Sequence, residues 1–139
     1  MAGKILLEVV TPEKLLLSQQ VDEVIAPGSE GEFGVLPGHC HFLTTLRIGE
    51  LRYRIEGVTN HMAILWGYAE VTPTKVTVMA EVAEKAEDID VGRAQAAVEK
   101  AEQRLKAGGL PSEVKEAEIS LEKARLRKKI AERASKTSH

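Results

Sequence analysis

Several short stretches of this 139-residue chain carry side chains whose types and spacing could do chemistry. His39-Cys40-His41 combines two imidazoles with the one cysteine present, the raw material of a metal site or a nucleophile. A zinc site needs three or four convergent ligands, and neighbours along an extended strand point to opposite faces. Only His39 and His41 of this triplet could therefore converge. The other histidines are His61 and the terminal His139, and no Cys-x-x-Cys or His-Glu-x-x-His spacing occurs, so neither a metal nor a catalytic cysteine is expected. Residues 28–39, Gly-Ser-Glu-Gly-Glu-Phe-Gly-Val-Leu-Pro-Gly-His, form a glycine-punctuated loop around one short strand. It lacks the Gly-Lys-Ser/Thr ending that meets phosphate and magnesium, so it reads as a tight structural loop. Asp90 and Arg93 suit a nucleotide's hydrogen-bond donors and phosphates, or equally a first-turn acid and a surface ion pair. Lys123, Arg125, Arg127, Lys128, Lys129, Arg133 and Lys136 form a cationic cluster, either a solvated helix face or a docking surface. No aromatic residues accompany these charges, which argues against nucleic acid.

The elements that must hold these residues change character near residue 86. Before it lie all the aromatics and four of the five prolines; after it Ala, Glu, Lys, Arg and Gln dominate. The first part reads as short strands. Ile5–Val10 is apolar and bounded by Thr11-Pro12, and Val21, Val24 and Ile25 precede the turn cluster Pro27-Gly28-Ser29. Leu51, Tyr53 and Ile55 alternate with Arg52, Arg54 and Glu56, which predicts one buried and one basic face. Met62–Trp66 is a continuous apolar run, expected to be buried on both faces. Val76, Val78 and Ala80 alternate with Thr77, Met79 and Glu81. Turn signals every eight to twelve residues predict a small sandwich or barrel. The second part reads as two helices. Asp88 is placed to cap the first, whose stripe is Val91, Ala94, Val98, Ala101 and Leu105. Gly108-Gly109-Leu110-Pro111 stops it and Ser112 is placed to cap the next, so the helices should be antiparallel neighbours. Ala94, Ala101, Ala117, Ala124 and Ala131 allow close approach but bury little area each, while Ile119, Leu126 and Ile130 form a second stripe. Such a hairpin is marginal alone and could serve two surfaces.

Charge is distributed unevenly. Residues 1–86 and 87–122 each carry a net charge of −4, and 123–139 carry +6. The whole chain has a net charge of −2, which gives no global reason to bind nucleic acid. A lone cysteine fits a reducing compartment. No apolar run approaches the ~20 residues that span a bilayer.

The dodecapeptide 28–39 closely resembles the signature of the epsilon subunits of bacterial and chloroplast F-type ATP synthases. Leu7-Glu8-Val9-Val10-Thr11-Pro12 resembles the family's first strand, Gly67-Tyr68-Ala69-Glu70-Val71 its Gly-x-x-Glu-Val stretch, and Val76–Ala80 its last strand. Ile89-Asp90-Val91-Gly92-Arg93-Ala94 resembles the Ile-Asp-x-x-Arg-Ala motif that opens the family's helical hairpin. The resemblance covers nearly the whole chain and implies an α+β fold: an N-terminal ten-stranded β-sandwich over 1–86, binding gamma and the c ring, then a C-terminal antiparallel two-helix hairpin over 87–139. It implies a non-catalytic central-stalk subunit of the proton-translocating synthase, coupling gamma to the c-subunit ring and inhibiting ATP hydrolysis through its helices. That places it on the cytoplasmic face of the bacterial plasma (inner) membrane without membrane insertion. A free-standing ATP-sensing module is the alternative.

Specific residues follow from the same resemblance. Glu30, Glu32 and His39 are the expected contacts to the c ring. Arg125, Arg127, Lys128, Lys129 and Arg133 are the expected inhibitory contacts to the catalytic beta subunits in the alpha/beta head. No cofactor is required, but ATP is admitted as a regulatory ligand at Glu84, Ile89, Asp90, Arg93, Lys123 and Arg127. Lys123 stands where arginine is usual, and lysine is a point charge rather than a planar fork. Cys40 and His41 depart from the family's usual Ala-Pro. Trp66 stands where glycine is more usual, either as a core residue or as a contact to gamma.

Overall fold

The computed structural model describes the backbone of residues 3–137 and the side chains through Arg133. The Lys136 and His139 side chains lie outside those described. The chain divides between Lys85 and Ala86 into two compact units.

The first unit has eight strands: β1 Ile5–Val10, β2 Leu15–Val21, β3 Glu23–Gly28, β4 Gly31–Val35, β5 Phe42–Leu46, β6 Gly49–Ile55, β7 Val58–Val71 and β8 Lys75–Lys85. Among the described residues only β1 and β8 pair in parallel, and every other pair is antiparallel. Eight rather than ten strands appear because β7 and β8 each run through both layers of the sandwich. One layer is β2, β1, the first half of β8, the second half of β7, and β5. The other is the second half of β8, the first half of β7, β6, β3 and β4. Counted by layer, each long strand serves twice, and the ten-stranded sandwich is recovered.

The crossing is visible in which residues face the core. In β7, Met62 and Ile64 point inward, then Ala69 and Val71, so the parity switches between them. A strand has a period of two, so a switch of parity needs a local departure from regular geometry. Trp66 supplies it with a φ of 56°, and the next residue is Gly67. A Cβ on Gly67 would lie 2.1 Å from the carbonyl oxygen of Met79 on β8, so only glycine allows the two backbones to cross here. The Met62–Leu65 run is fully buried, as its apolar character predicts.

The core is aliphatic. Ile5, Leu7 and Val9 of β1, Val24 and Ala26 of β3, Leu51 and Tyr53 of β6, and Val76, Val78 and Ala80 of β8 meet in one cluster. Residues alternating with these face outward, as period-two strands require. The β6–β7 connection is a two-residue turn, Glu56-Gly57, with φ of 49° and 82°. Positive φ at both positions is the hairpin geometry that suits the right-handed twist of the flanking strands. The face expected to be basic is instead neutralised: Arg54 pairs with Glu23 of β3, and Arg52 pairs with Glu50 and with Glu32 of β4. Cross-strand register brings in Glu23 and Glu32, while Glu50 belongs to β6 itself, two residues before Arg52.

The second unit begins with one 3₁₀ turn, Ala86–Asp88, followed by α1 Val91–Ala107 and α2 Pro111–Thr137. The cap of α1 is Asp90 rather than Asp88: Asp90 is extended and its carboxylate accepts the Arg93 N–H at 3.0 Å, while Asp88 is used by the 3₁₀ turn. Gly108, with φ of 72°, ends α1 as expected, its N–H donating to the carbonyls of Arg104 and Leu105. Ser112 lies inside the first turn of α2 and is not its cap. Pro111 takes the first helical position, where its missing N–H costs nothing, and the Leu110 carbonyl accepts from Glu113 and Val114. Val98 and Ala101 of α1 meet Leu121 and Ala124 of α2 in a small separate core, with Leu105 at its edge. All five stripe alanines are buried, while Val91 is exposed. Of the second stripe, Ile130 is buried, and Ile119 and Leu126 are half-buried.

Candidate functional site

Three surfaces gather the residues that could act. On the first, the tight β3–β4 turn presents Ser29 and Glu30, and Gly31 at its end has φ of 130°. The Ser29 and Thr45 hydroxyls are hydrogen-bonded at 2.6 Å, tying the tip to β5. Glu30 and Glu32 are exposed. Glu32 accepts a hydrogen bond from Arg52 Nη2 at 3.1 Å. His39 lies in the connection that follows β4, at a glycine corner where the Gly38 N–H donates to the Pro73 carbonyl. Its ring meets Phe42 edge-on at 6.4 Å, and Phe42 meets Phe33 of β4 at 5.2 Å. An aromatic trio thus links His39 to the strand that carries Glu32. Cys40 is exposed, and its carbonyl lies 2.8 Å from His39 Nδ1. Among the described residues no group of three potential metal ligands converges.

The second surface is a groove of about 600 Å³ at the layer crossing, lined by Val10, Thr11 and Pro12, by Trp66 to Tyr68, and by Met79 to Glu81. Trp66 is 38% exposed and Tyr68 47%, so neither is a core residue. The backbone departure that switches the layers turns the Trp66 indole outward, where the alternation of Met62 and Ile64 would have buried it.

The third surface is the hairpin, whose cations divide between two clefts. Lys123 and Arg127 of α2 converge with Lys100 and Arg104 of α1 and with Ser120 around a cleft of about 250 Å³. Arg125, Lys128, Lys129 and Arg133 line a different cleft, of about 540 Å³, with Gln95, Val98 and Glu102. Helical geometry separates them: residues 123 and 127 share one face, and 125, 129 and 133 another. Arg127 therefore lines the cleft of Lys123 and not that of Arg125, Lys128, Lys129 and Arg133. In the larger cleft Arg125 pairs with Glu102 at 3.5 Å, and the buried Oε1 of Gln95 has no hydrogen-bond partner among the described residues. Asp90 and Arg93 lie together at the start of α1, but neither lines either cleft, and the Asp90 carboxylate already serves the cap. Ile89 is half-buried just before them. Glu84 is a half-buried residue of β8, in the other unit.

Two charged pairs on the sandwich hold carboxylates below their ordinary range. The Lys75 hydrogen bond does so for Glu8, against some desolvation and with help from Ser18. The Lys4 hydrogen bond does so for Asp22, helped by the Glu56 N–H.

Comparison with known proteins bears on both units. Residues 4–86 match the family model described as ATP synthase, Delta/Epsilon chain, beta-sandwich domain, and residues 87–132 match the long alpha-helix domain of the same chain. The chain belongs to the ATP synthase delta/epsilon family. It is 52% identical over 139 residues to the ATP synthase epsilon chain of Citrifermentans bemidjiense, covering 98% of this chain and 99% of that one. It is 54% identical over 133 residues to that of Syntrophobacter fumaroxidans, covering 96% and 99%. Among solved structures it resembles a chain of the Euglena gracilis mitochondrial ATP synthase, OSCP/F1/c-ring in rotational state 1, with a TM-score of 0.79, 26% identity, and coverage of 90% of this chain and 79% of that one. A chain of the Tetrahymena thermophila central stalk and c ring shares the fold, with a TM-score of 0.59 and 16% identity over 94% and 98%.

As a delta/epsilon family member the chain is a subunit of ATP synthase and not a catalytic one. No helix among the described residues is long and apolar enough to cross a membrane. Several residues of this delta/epsilon chain escaped the sequence reading. In the sequence Tyr68 stands out only as part of the Gly67–Val71 motif. Lys100 and Arg104 carried a signal, a pair of cations four residues apart on one face of α1. Glu50 and His61 carried none, because their strands meet only through the register of β6 on β7.

Proposed function

We propose that the chain is a central-stalk subunit that joins gamma to the ring of membrane c subunits and restrains ATP hydrolysis through its helical hairpin. One observation carries this reading: the hairpin has a core of its own, built on Val98, Ala101, Leu121 and Ala124. A hairpin that keeps its own core can change neighbours without unfolding, as a movable brake must. The sandwich supplies the anchor. Glu30, Glu32 and His39 at its loop end face the c ring, and the groove beside Trp66 and Tyr68 takes gamma. An exposed apolar groove flanked by two large aromatics is the composition of a protein interface. When the hairpin engages the alpha/beta head, Arg125, Lys128, Lys129 and Arg133 face acidic residues of the beta subunits, and opposed charge steers the approach. The Lys100, Arg104, Lys123 and Arg127 cleft suits the triphosphate of ATP as a regulatory ligand. A subunit of this kind sits at the membrane surface through its partners, on the cytoplasmic side of a bacterial inner membrane.

The test adds either the full chain or residues 1–86 to a purified alpha–beta–gamma complex stripped of this subunit and follows ATP hydrolysis. The expected result is that both bind gamma and only the full chain slows hydrolysis. Binding without inhibition by either would leave a coupling role alone, and failure of both to bind would refute the assignment. For the ligand, calorimetry with millimolar MgATP should give heat that K123Q/R127Q abolishes. Absence of heat from the unaltered chain would remove ATP from the scheme.

A further inference from the structure

Arg52 lies on β6 directly opposite Ile25 of β3, and β4 lies beyond β3. The residue facing Ile25 on β4 is Gly34, which puts no side chain in that row. The Arg52 side chain extends across β3 and reaches carboxylates on both sides. Its Nη1 donates to Glu50 Oε1 at 3.2 Å and its Nη2 to Glu32 Oε1 at 3.1 Å. The other Glu50 oxygen lies 3.0 Å from His61 Nδ1 on β7. A chain of contacts therefore runs from β7 to β4, and burial falls along it from Glu50 to Glu32. The Glu50 and His61 side chains are 4% and 10% exposed, that of Arg52 26%, and that of Glu32 49%. Glu50 is the one charged residue buried among those described. A guanidinium is a rigid planar fork, so fixing one of its nitrogens against a buried carboxylate also fixes where the other points. An ionised carboxylate has about four acceptor sites, so Glu32 bound through one oxygen keeps the other available.

We infer that Arg52 is a positioning residue: anchored by Glu50 and His61, it holds Glu32 in one rotamer before the partner arrives. A side chain ordered in advance loses less freedom on docking. The functional half of this inference rests on the reading of Glu32 as a contact to the c ring; the ordering of Glu32 in the free chain does not.

The experiment uses the full chain with E32Q, R52Q, R52K and the E32Q/R52Q double substitution. Side-chain couplings of Glu32 are measured by NMR in the free protein, and affinity is measured for an assembly of gamma with the c ring. A single Glu32 rotamer in the unaltered chain that becomes averaged in R52Q is expected; the same couplings in both would overturn the positioning role. For affinity, E32Q should weaken binding about three- to fivefold, the scale of one exposed ion pair. R52Q should weaken it by a similar factor, and the double substitution should be no worse than E32Q alone. R52K, which keeps the charge but not the fork, should restore only part of the loss and guards against a folding defect in R52Q. Additive losses would overturn the inference by placing Arg52 in the contact itself. If E32Q binds normally while R52Q still averages the Glu32 rotamer, the ring contact fails and the positioning stands.

Discussion

Replacing Gly67 by alanine should be among the most damaging single-methyl changes available to the sandwich. The added Cβ would meet the Met79 carbonyl oxygen at 2.1 Å, Ala80 Cα at 2.8 Å and the Met79 carbonyl carbon at 2.9 Å. All three atoms are backbone, so no side chain can swing aside, and β8 must retreat by about 1 Å to restore ordinary contact. Gly67 also has a positive φ, 156°. A backbone conformation that disfavours side chains costs ~1–2 kcal/mol, and overpacking adds ~1–3 kcal/mol. Together these predict a loss of ~2–5 kcal/mol. For a unit of this size that is a fall in melting temperature of roughly 8–40 °C. Gly57→Ala is the control, because Gly57 has φ of 82° but nothing within 4 Å of its added Cβ, so it should lose only the backbone part, ~1–2 kcal/mol. Urea unfolding followed by tryptophan fluorescence is the assay, since the single tryptophan, Trp66, adjoins the altered residue. If Gly67→Ala loses no more than Gly57→Ala, the account of the layer crossing is wrong.

Leu121→Ala should remove the largest side chain from the hairpin's small core and cost ~2–4 kcal/mol; hydrogen exchange should show α1 and α2 losing protection while β1 and β8 keep theirs. Because Glu8 and Asp22 have carboxyls lowered by lysines, their contribution to stability is complete above the unfolded carboxylate range and is lost as pH falls through the lowered folded values. E8Q/D22N should therefore flatten the acid limb of an unfolding curve measured against pH and leave its neutral shape unchanged. Neutralising Arg125, Arg127 and Lys128 together should relieve inhibition of ATP hydrolysis, and the inhibition lost should shrink as salt rises. Since Arg127 lies on the other face, R125Q/K128Q alone should give most of the effect; unchanged hydrolysis would refute the assignment of these residues.

How much could be read beforehand depended on whether an element faces one environment or two. β6 and β8 alternate cleanly because one face is core, and α1 shows its stripe because Val98 and Ala101 meet a partner helix. β2 and β5 gave no such signal. Leu15-Leu16-Leu17-Ser18 lies on a sheet edge, where none of the four is fully buried, and only Leu46 of β5 is. The strand count missed the continuity of β7 and β8 because it depends on a backbone angle at Trp66, a residue type that gives no warning of positive φ. The cap shifted from Asp88 to Asp90 because both are aspartates in a suitable context and the 3₁₀ turn decides between them. Grouping of the α2 cations by face needed only helical periodicity. Pairing of Arg52 with Glu32 needed three strands in register, which pattern along one strand does not reveal.

The crossing at Trp66 and Gly67 also has a mechanical meaning. In a sandwich whose layers touch only through side chains, one sheet can slide over the other at the expense of packing alone. Here two backbones pass without interruption from one layer to the other, joined on both sides of the crossing, where Leu65 pairs with Val82 and Gly67 with Ala80. A shearing load on one layer is therefore carried into the other along covalent bonds. Sliding the layers would require breaking ladder hydrogen bonds on both sides of the crossing at once. The sandwich is therefore stiff against shear between its two layers.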